Sequence, residues 1–289
     1  MSSKVGKIKI AIIGGSGLYG IDGLKNIKEV KVKTPFGSPS DAIITGVLEG
    51  VSVAFLPRHG RGHKYLPCEI PQKANIWALK SLGVETLISV SAVGSLREKL
   101  KPRHFVFPNQ LVNQTRGRCQ TFFGNGIVAH GYFAEPFCAE LSNLLYKTSK
   151  KLRIPSHKGG ALVCMQGPQF STKAESHTNR KLGYDLIGMT AVPEANLARE
   201  ASMCYAPISL VTDYDCWKEG EEVTSEKVMA TMAKNVDNAK KLLKKVIPLI
   251  AKAKKKCACK NLMKNSVVTD SSVMPAKTKK ALKLIMKDM

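Results

Sequence analysis

The stretch that decides the fold is Pro207-Ile208-Ser209-Leu210-Val211-Thr212, followed at once by Asp213-Tyr214-Asp215. A short apolar run rich in β-branched residues is typical of a buried strand. Residues two apart in an extended chain face the same side, about 6–7 Å apart. The two carboxylates are therefore expected to repel each other, which raises one pKa and creates a candidate proton donor. Open α/β sheets bind ligands where strands end; the alternative is a solvated acidic turn.

Length and composition favour a large α/β core. The chain has 289 residues, of which 44% are hydrophobic, and this allows one α/β domain or two small ones. No apolar run approaches the roughly 18–20 residues that cross a bilayer. The run Ile10–Ile13 is too short for the core of a signal peptide. We therefore expect a cytoplasmic protein with no membrane partner.

Eight cysteines are scattered without the spacing of a disulfide framework. In a chain without an export signal they are expected to be free thiols. Cys257 and Cys259 are the one close pair in the sequence. Without a second pair they make a poor metal site, and a local disulfide is the alternative.

Positive charge is concentrated near the C-terminus. Residues 227–289 hold 17 Lys and three Asp, which is +14 of the net charge of +23. Such a coat can bind nucleic acid non-specifically, but it lacks the interleaved aromatic residues of a nucleic-acid platform. We interpret it as the solvated face of helices, ending in a Lys-rich extension (251–289) whose last helix is predicted to start at Pro275.

The first glycine-rich loop, residues 14–20, follows a predicted strand and contains the spacing G-x-G-x-x-G. A dinucleotide site would need a crossover helix after this loop, and the next residues lack a helical period. The amides of the loop and the Ser16 hydroxyl are therefore predicted to cradle a phosphate.

A second strand-end loop, residues 57–63, carries two Arg and two His. Arg offers planar, bidentate donors, so Arg58 and His59 predict an anion site. His59 and His63 are four residues apart, but the glycines between them argue against a helix and no Glu partner accompanies them. A zinc site is not favoured there.

Further strand ends supply small and hydroxyl-bearing residues. They are Ser91 with Ala92, and Thr190. Another strand end carries Phe170, which either stacks on a ring or belongs to the core. Hydrogen-bond donors that can bind an anion, next to a separate carboxylate pair, suit phosphorolysis of a nucleoside. Phosphate would stabilise an oxocarbenium-like sugar, and an acid would protonate purine N7 so that the base leaves. A carboxylate also accepts a hydrogen bond from an exocyclic amine, so a 6-amino base fits it better than a 6-oxo base does.

Nine motifs in register over residues 8–250 resemble the methylthioadenosine phosphorylase family. They are IIGGSG (12–17), TPFGSPSD (34–41), RHGRGH (58–63), ANIWAL (74–79), GSLRE (94–98), AEPFC (134–138), GPQFS (167–171), GMTAVPEA (188–195) and TDYDCWKE (212–219). The resemblance implies a single α/β domain over 1–250, with a mixed central β-sheet flanked by helices, as in the trimeric purine nucleoside phosphorylases.

The resemblance also implies a role for each matching position. Phosphate would be held by Ser16, Arg58, His59, Ser91, Ala92 and Thr190. Met189 would contact the ribose, and Phe170, Ser171, Asp213 and Asp215 would surround the base, with Asp213 as the partner of N7 and the 6-amino group. His63 would lie near the 5′ end, and His130 would reach in from a neighbouring subunit of a homotrimer. The resemblance implies no metal and no organic cofactor. Inorganic phosphate takes part as a co-substrate.

The expected reaction converts 5′-methylthioadenosine to adenine and 5-methylthioribose 1-phosphate, in purine and methionine salvage. Ser225 falls where an apolar residue is common against the 5′-methylthio group. A purine nucleoside phosphorylase acting on adenosine or other 5′-hydroxy nucleosides is therefore the alternative. Two other classes, a nucleic-acid-binding protein and a dinucleotide oxidoreductase, are less well supported.

Overall fold

A computed structural model describes residues 8–15, 18 and 20–289. It contains one mixed sheet of eleven strands. The strands are β1 (Ile10–Gly14), β2 (Lys25–Val30), β3 (Ile43–Leu48), β4 (Val51–Pro57), β5 (Thr86–Ser95), β6 (Phe105–Phe107), β7 (Gln110–Gln114), β8 (Ser156–Lys158), β9 (Ala161–Met165), β10 (Leu186–Gly188) and β11 (Cys204–Asp213). The helices are α1 (Gln72–Ser81), α2 (Ala139–Lys151), α3 (Lys173–Lys181), α4 (Ala191–Glu200), α5 (Ser225–Lys252) and α6 (Ala276–Leu282). The expected single α/β domain with a mixed sheet is confirmed.

Strand β5 is the branch point of the sheet. The main path runs β2-β3-β4-β1-β5-β10-β9-β7, while β11 pairs with both β5 and β6, and β6 pairs with β8. β1 is parallel to β4 and β5, and β5 is parallel to β11. The carboxyl ends of these four strands therefore meet at one edge, where a ligand is expected to bind.

Helices cover both faces of this sheet. On β1, Ile10 and Ile12 belong to one apolar cluster, and Ala11 and Ile13 belong to another on the opposite face. This alternation follows from the period of two along a strand. The stripe of α5 that includes Leu242 and Val246 is buried in the first cluster. A strand buried on both faces explains why the sequence of β11 is almost entirely apolar.

Several elements differ from the predicted ones. The sequence pattern over 106–112 predicts one strand, but the structure has two, β6 and β7, because Pro108 interrupts the run. A proline inside a helix predicts a kink or a break near Pro248, but α5 runs past it to Lys252 without a break. Buried Ile247 and Ile250 hold the helix against the core on both sides of the proline. Residues 20–24, the described stretch that leads into β2 at Lys25, contain no helix, which argues against the dinucleotide alternative.

The C-terminal extension packs onto the rest of the molecule. Its side chains Cys259, Met263 and Ile285 are buried, and α6 starts directly after Pro275, its N-cap residue. The amide of His130 donates to the carbonyl of Ser266 at 2.9 Å, which ties the extension to the long loop before α2. Within the described ranges, no helix combines the length and apolarity needed to cross a membrane.

Candidate active site

The acidic pair at the end of β11 is arranged differently from the expected extended spacing. Asp213 is the last residue of β11, and Asp215 adopts a left-handed backbone with φ of 52°. The amide of Asp215 folds back and donates to Oδ1 of Asp213 at 2.8 Å. The prediction that both side chains point to the same face of an extended chain is therefore wrong, because the strand ends before the second carboxylate.

Burial dominates the electrostatics of Asp213. It raises the pKa of this carboxyl above its ordinary value, although hydrogen bonds from Thr212 and from the Asp215 amide oppose the shift. The charge of Asp215 contributes in the expected direction, but less than burial does. Burial also raises the pKa of Asp215, although the Ser176 and Ser171 hydroxyls oppose the shift. Both carboxyls are thus biased toward the protonated form that can donate a proton.

Arg58 forms a buried ion pair at the edge where the strands end. Its Nε lies 2.7 Å from Oε2 of Glu194, and its Nη2 lies 3.0 Å from Oε1. The two side chains are only 2% and 0% exposed. Burial lowers the pKa of Arg58, but the Glu194 carboxylate outweighs it, so the pKa lies above its ordinary value. The Tyr205 hydroxyl donates to the same carboxylate at 2.9 Å.

The remaining donors of Arg58 bind residues of β5 and β1, where the Ile13 carbonyl accepts from Nη2 at 3.3 Å. Nη2 donates to Oγ of Ser89 at 2.7 Å, and Nη1 donates to the Val90 carbonyl at 3.2 Å. Nη1 carries a second N–H that could meet a bound anion. Glu194 had no role in the sequence-based prediction. A single acid within the apolar stretch AVPEANLA (191–198) was the available signal, because charged residues are buried only when they are paired.

Two predicted hydroxyls lie side by side. Oγ of Ser91 and Oγ1 of Thr190 are 3.2 Å apart, although the residues are 99 positions apart in the chain. Ala92 follows Ser91 on β5 and pairs with Leu210 of β11. Ser16 lies outside the described residues. The hydroxyl pair and the Arg58 guanidinium line the same edge of the sheet.

His59 is held as a neutral ring. Its Nδ1 lies 2.9 Å from the carbonyl of Tyr65, which fixes the proton on Nδ1 and leaves Nε2 as an acceptor. Burial lowers the pKa of His59 to about 4, and the charge of Arg58 lowers it as well. The ring stacks on exposed His63 with centroids 4.1 Å apart and nearly parallel planes.

The predicted base-binding residues lie around the acidic pair. The carbonyl of Ser171 accepts a hydrogen bond from the Cys216 thiol at 2.8 Å, which joins that loop to the end of β11. Phe170 is 43% exposed, so its ring belongs to an open surface and not to the core. Arg118, which the sequence analysis missed, donates to the carbonyls of Met189 and Val192 at 2.7 and 2.8 Å. The long loop at 113–133 therefore braces the segment that carries Met189.

Two predicted site residues lie on the surface of the single chain. His130 is exposed on the loop bound to the C-terminal extension. Ser225 is the exposed first residue of α5, whose N-cap Thr224 accepts from the Lys227 amide at 3.3 Å. A threonine directly before a helical apolar pattern predicts an N-cap at Thr224, and the structure confirms it.

Known proteins are similar in sequence to this chain over most of its length. A sequence profile of the phosphorylase superfamily matches residues 9–248. An S-methyl-5′-thioadenosine phosphorylase from Geobacter sulfurreducens is 48% identical over 278 residues, covering 96% of this chain and 97% of that protein. One from Hyperthermus butylicus is 53% identical over 256 residues, covering 88% and 93%. The chain belongs to the S-methyl-5′-thioadenosine phosphorylase family.

Solved structures resemble the phosphorylase throughout its length. A methylthioadenosine phosphorylase sourced from an Antarctic soil metagenomic library superposes with a TM-score of 0.93 at 46% identity, covering 97% of this chain and 100% of that one. The methylthioadenosine phosphorylase of Schistosoma mansoni in complex with adenine superposes with a TM-score of 0.86 at 37% identity, covering 90% and 99%. The likeness includes the C-terminal extension as well as the sheet.

Proposed function

We propose that this phosphorylase cleaves 5′-methylthioadenosine with inorganic phosphate to give adenine and 5-methylthioribose 1-phosphate. A phosphate oxygen attacks C1′ as the bond from C1′ to N9 breaks. The electron pair of that bond passes into the purine, and a proton from Asp213 goes to N7. The observation that carries the proposal is the buried carboxyl of Asp213, with its raised pKa, at the strand edge shared with Arg58.

Phosphate is proposed to lie against Arg58, His59, Ser91, Ala92 and Thr190, together with Ser16. Hydroxyls and the second N–H of Arg58 Nη1 donate to its oxygens, and Nε2 of neutral His59 accepts from a protonated phosphate oxygen. The anion then faces the developing positive charge on the sugar, which it stabilises. The step uses only phosphate and side chains, so we propose that it needs no metal or organic cofactor.

The nucleoside is proposed to lie between phosphate and the acidic pair. Met189 contacts the ribose, Phe170 and Ser171 flank the base, and Asp215 supports Asp213. His63 is assigned to the 5′ end.

We also propose that the phosphorylase acts as a homotrimer in the cytoplasm, with His130 entering a neighbouring site. Exposed Val128 and Tyr132 flank His130, and an interface would cover them. The Lys-rich extension is assigned to solvated helix faces rather than to a nucleic-acid site.

Product analysis with 5′-methylthioadenosine, adenosine and inosine, each with and without phosphate, tests this function. Phosphate-dependent release of adenine, fastest from 5′-methylthioadenosine, is the expected result. The second candidate is adenosine phosphorolysis, which is favoured by Ser225 and by similarity to a Schistosoma mansoni enzyme named adenosine/methylthioadenosine phosphorylase. Preference for adenosine would support that candidate, and phosphate-independent cleavage would contradict both.

Arg58→Lys is expected to raise the phosphate KM about 10- to 100-fold, which corresponds to losing one hydrogen bond to a charged group. Lysine keeps the positive charge but cannot form the planar, two-pronged contact with Glu194 while donating to an anion. Steady-state kinetics with varied phosphate measure the effect. Arg61→Lys is the control, because Arg61 pairs with exposed Glu29. An unchanged phosphate KM in Arg58→Lys would remove Arg58 from the phosphate site.

Gly94→Ala is expected to lower kcat at least tenfold, because a misplacement of about 1 Å can cost up to 10²-fold. A Cβ at this position of β5 would lie 2.9 Å from Oδ1 of Asp213 and 3.0 Å from Ile187 Cγ2. Neither contact fits, so the carboxylate has to move. The control is Gly188→Ala, whose Cβ would meet Val93 at an ordinary 3.4 Å. Equal kcat values for the two variants would show that the position of Asp213 is not limiting.

A further inference from the structure

Four cysteine side chains meet at the opposite end of the sheet from the proposed active site. The sulfur atoms of Cys138, Cys204, Cys257 and Cys259 all lie within 4.8 Å of one another. Three of these residues are buried and Cys257 is half-buried. All four are free thiols, and the sulfurs of Cys204 and Cys257 lie 3.3 Å apart. The fold thus supplies the second cysteine pair that the sequence analysis did not find.

We propose that these four cysteines bind one zinc ion. Zinc bound by four thiolates is tetrahedral with Zn–S distances of about 2.3 Å, which places the sulfurs about 3.8 Å apart. The observed cluster needs only small shifts to reach that geometry. A disulfide would need a separation of about 2.05 Å. Thiolates are soft ligands that select zinc over the hard cations Mg²⁺ and Ca²⁺.

The surroundings can balance the charge of such a site. On binding zinc, each thiol loses its proton to solvent, and the tetrathiolate centre has a net charge of −2. Arg199 is buried, and its Nε and Nη1 have no hydrogen-bond partner within the described part of the chain. Its Nη2 donates to the carbonyl of Glu135, three residues before Cys138. Cys138 is the N-cap residue of α2, where the helix dipole favours negative charge.

A small cavity gives the ion a route to the cluster. It has a volume of about 30 Å³ and is lined by Cys138, Cys204 and Cys257 together with Glu140 and Lys255. This volume holds a water-sized particle. A carboxylate and three sulfurs facing one cavity allow a cation to enter and exchange its water ligands for thiolates.

The position of the cluster makes the proposed zinc structural. Cys204 starts β11 and Asp213 ends it, so the two lie about 30 Å apart at roughly 3.3 Å per residue. Four protein ligands leave no open position for a substrate. The ion would join the start of α2 and the start of β11 to the C-terminal extension, which carries Cys257 and Cys259. Loss of zinc should therefore release the extension and leave the chemistry of the strand ends unchanged.

The experiment measures zinc in the full-length protein purified without chelator, by elemental mass spectrometry. About one zinc per chain is expected, falling to nearly none in Cys257→Ser/Cys259→Ser. Cys68→Ser/Cys119→Ser, which removes two exposed thiols, should keep its zinc. The first double variant should also show a lower Tm, with kcat at low temperature within about twofold of the wild type.

A second measurement does not depend on how well the variant folds. Wild-type protein is stripped with chelator under reducing conditions and titrated with Co²⁺, which should produce the thiolate-to-metal charge-transfer bands of a tetrahedral tetrathiolate site. Re-addition of Zn²⁺ should remove these bands and restore Tm. Purified protein without zinc whose four cysteines are joined in disulfides would overturn the proposal, as would equal zinc content in both double variants.

Discussion

Asp213→Asn is expected to turn over 5′-methylthioadenosine about 10²–10⁴-fold more slowly than the wild type, the range typical of losing a general acid. Asparagine keeps the size of the side chain and can still accept the hydrogen bond from the Asp215 amide, but it cannot protonate N7. Because burial raises the pKa of Asp213, the wild-type kcat should fall as pH rises above that pKa. This limb of the pH profile should be absent in the variant. Steady-state kinetics across pH measure both effects.

Stability separates loss of the proton donor from loss of the fold. The pKa of Asp213 is higher in the folded chain than its ordinary value, so the native state binds more protons between the two values. Folding stability contributed by this group therefore decreases as pH rises through that window. Asparagine removes the decrease, and Tm near neutral pH should be no lower than in the wild type. Asp22→Asn, at an exposed position, should change neither rate nor Tm. A wild-type rate for Asp213→Asn would contradict the assignment.

Glu194→Gln is expected to lower the free energy of unfolding by about 3–5 kcal/mol, because it leaves a buried charge without its partner. Arg58 and Glu194 are almost fully buried and share two hydrogen bonds. Tyr205 would also lose its charged acceptor. The phosphate KM should rise in the same variant, since the guanidinium is no longer held in place. Urea unfolding and phosphate-dependent kinetics measure the two effects.

Two further variants test the origin of this loss. Glu29→Gln, which breaks the exposed pair with Arg61, should have a much smaller effect because solvent screens that interaction. The double variant Arg58→Met/Glu194→Leu removes both buried charges and should recover much of the stability. It should nevertheless lose its response to phosphate. If Glu194→Gln unfolded at the wild-type urea concentration, the buried pair would not stabilise the fold.

The sequence was sufficient to predict which segments carry the site. Parallel strands bring their carboxyl ends together, so polar residues that follow buried strands converge. Arg58 illustrates this, since it follows β4 and lies at the edge where parallel β1 also ends. Ser91 and Thr190 meet differently, because Ser91 lies within β5 and Thr190 follows β10, which is antiparallel to β5; their hydroxyls are 3.2 Å apart. The nine family motifs indicated which family the chain belongs to and therefore its function. The similar proteins support this family over nearly the whole chain.

Features that depend on tertiary contacts could not be predicted in the same way. Asp215 was placed on an extended chain, but a left-handed turn follows Asp213. Glu194 was visible only as an acid in an apolar stretch, and its partner lies 136 residues away. Helix α3 has few apolar residues, and its one local signal was the capping box between Thr172 and Glu175. The cysteine cluster joins three distant parts of the chain, so spacing alone did not reveal it.

The most direct test of the central claim compares two substrates in the wild type and in Asp213→Asn. One is 5′-methylthioadenosine, and the other is its N7-methylated derivative, whose purine already carries the positive charge that protonation would provide. We predict that the variant loses about 10²–10⁴-fold in kcat on the first substrate and cleaves the second, in the presence of phosphate, at close to the wild-type rate. An equal loss on both substrates would contradict the role of Asp213 as the proton donor to N7.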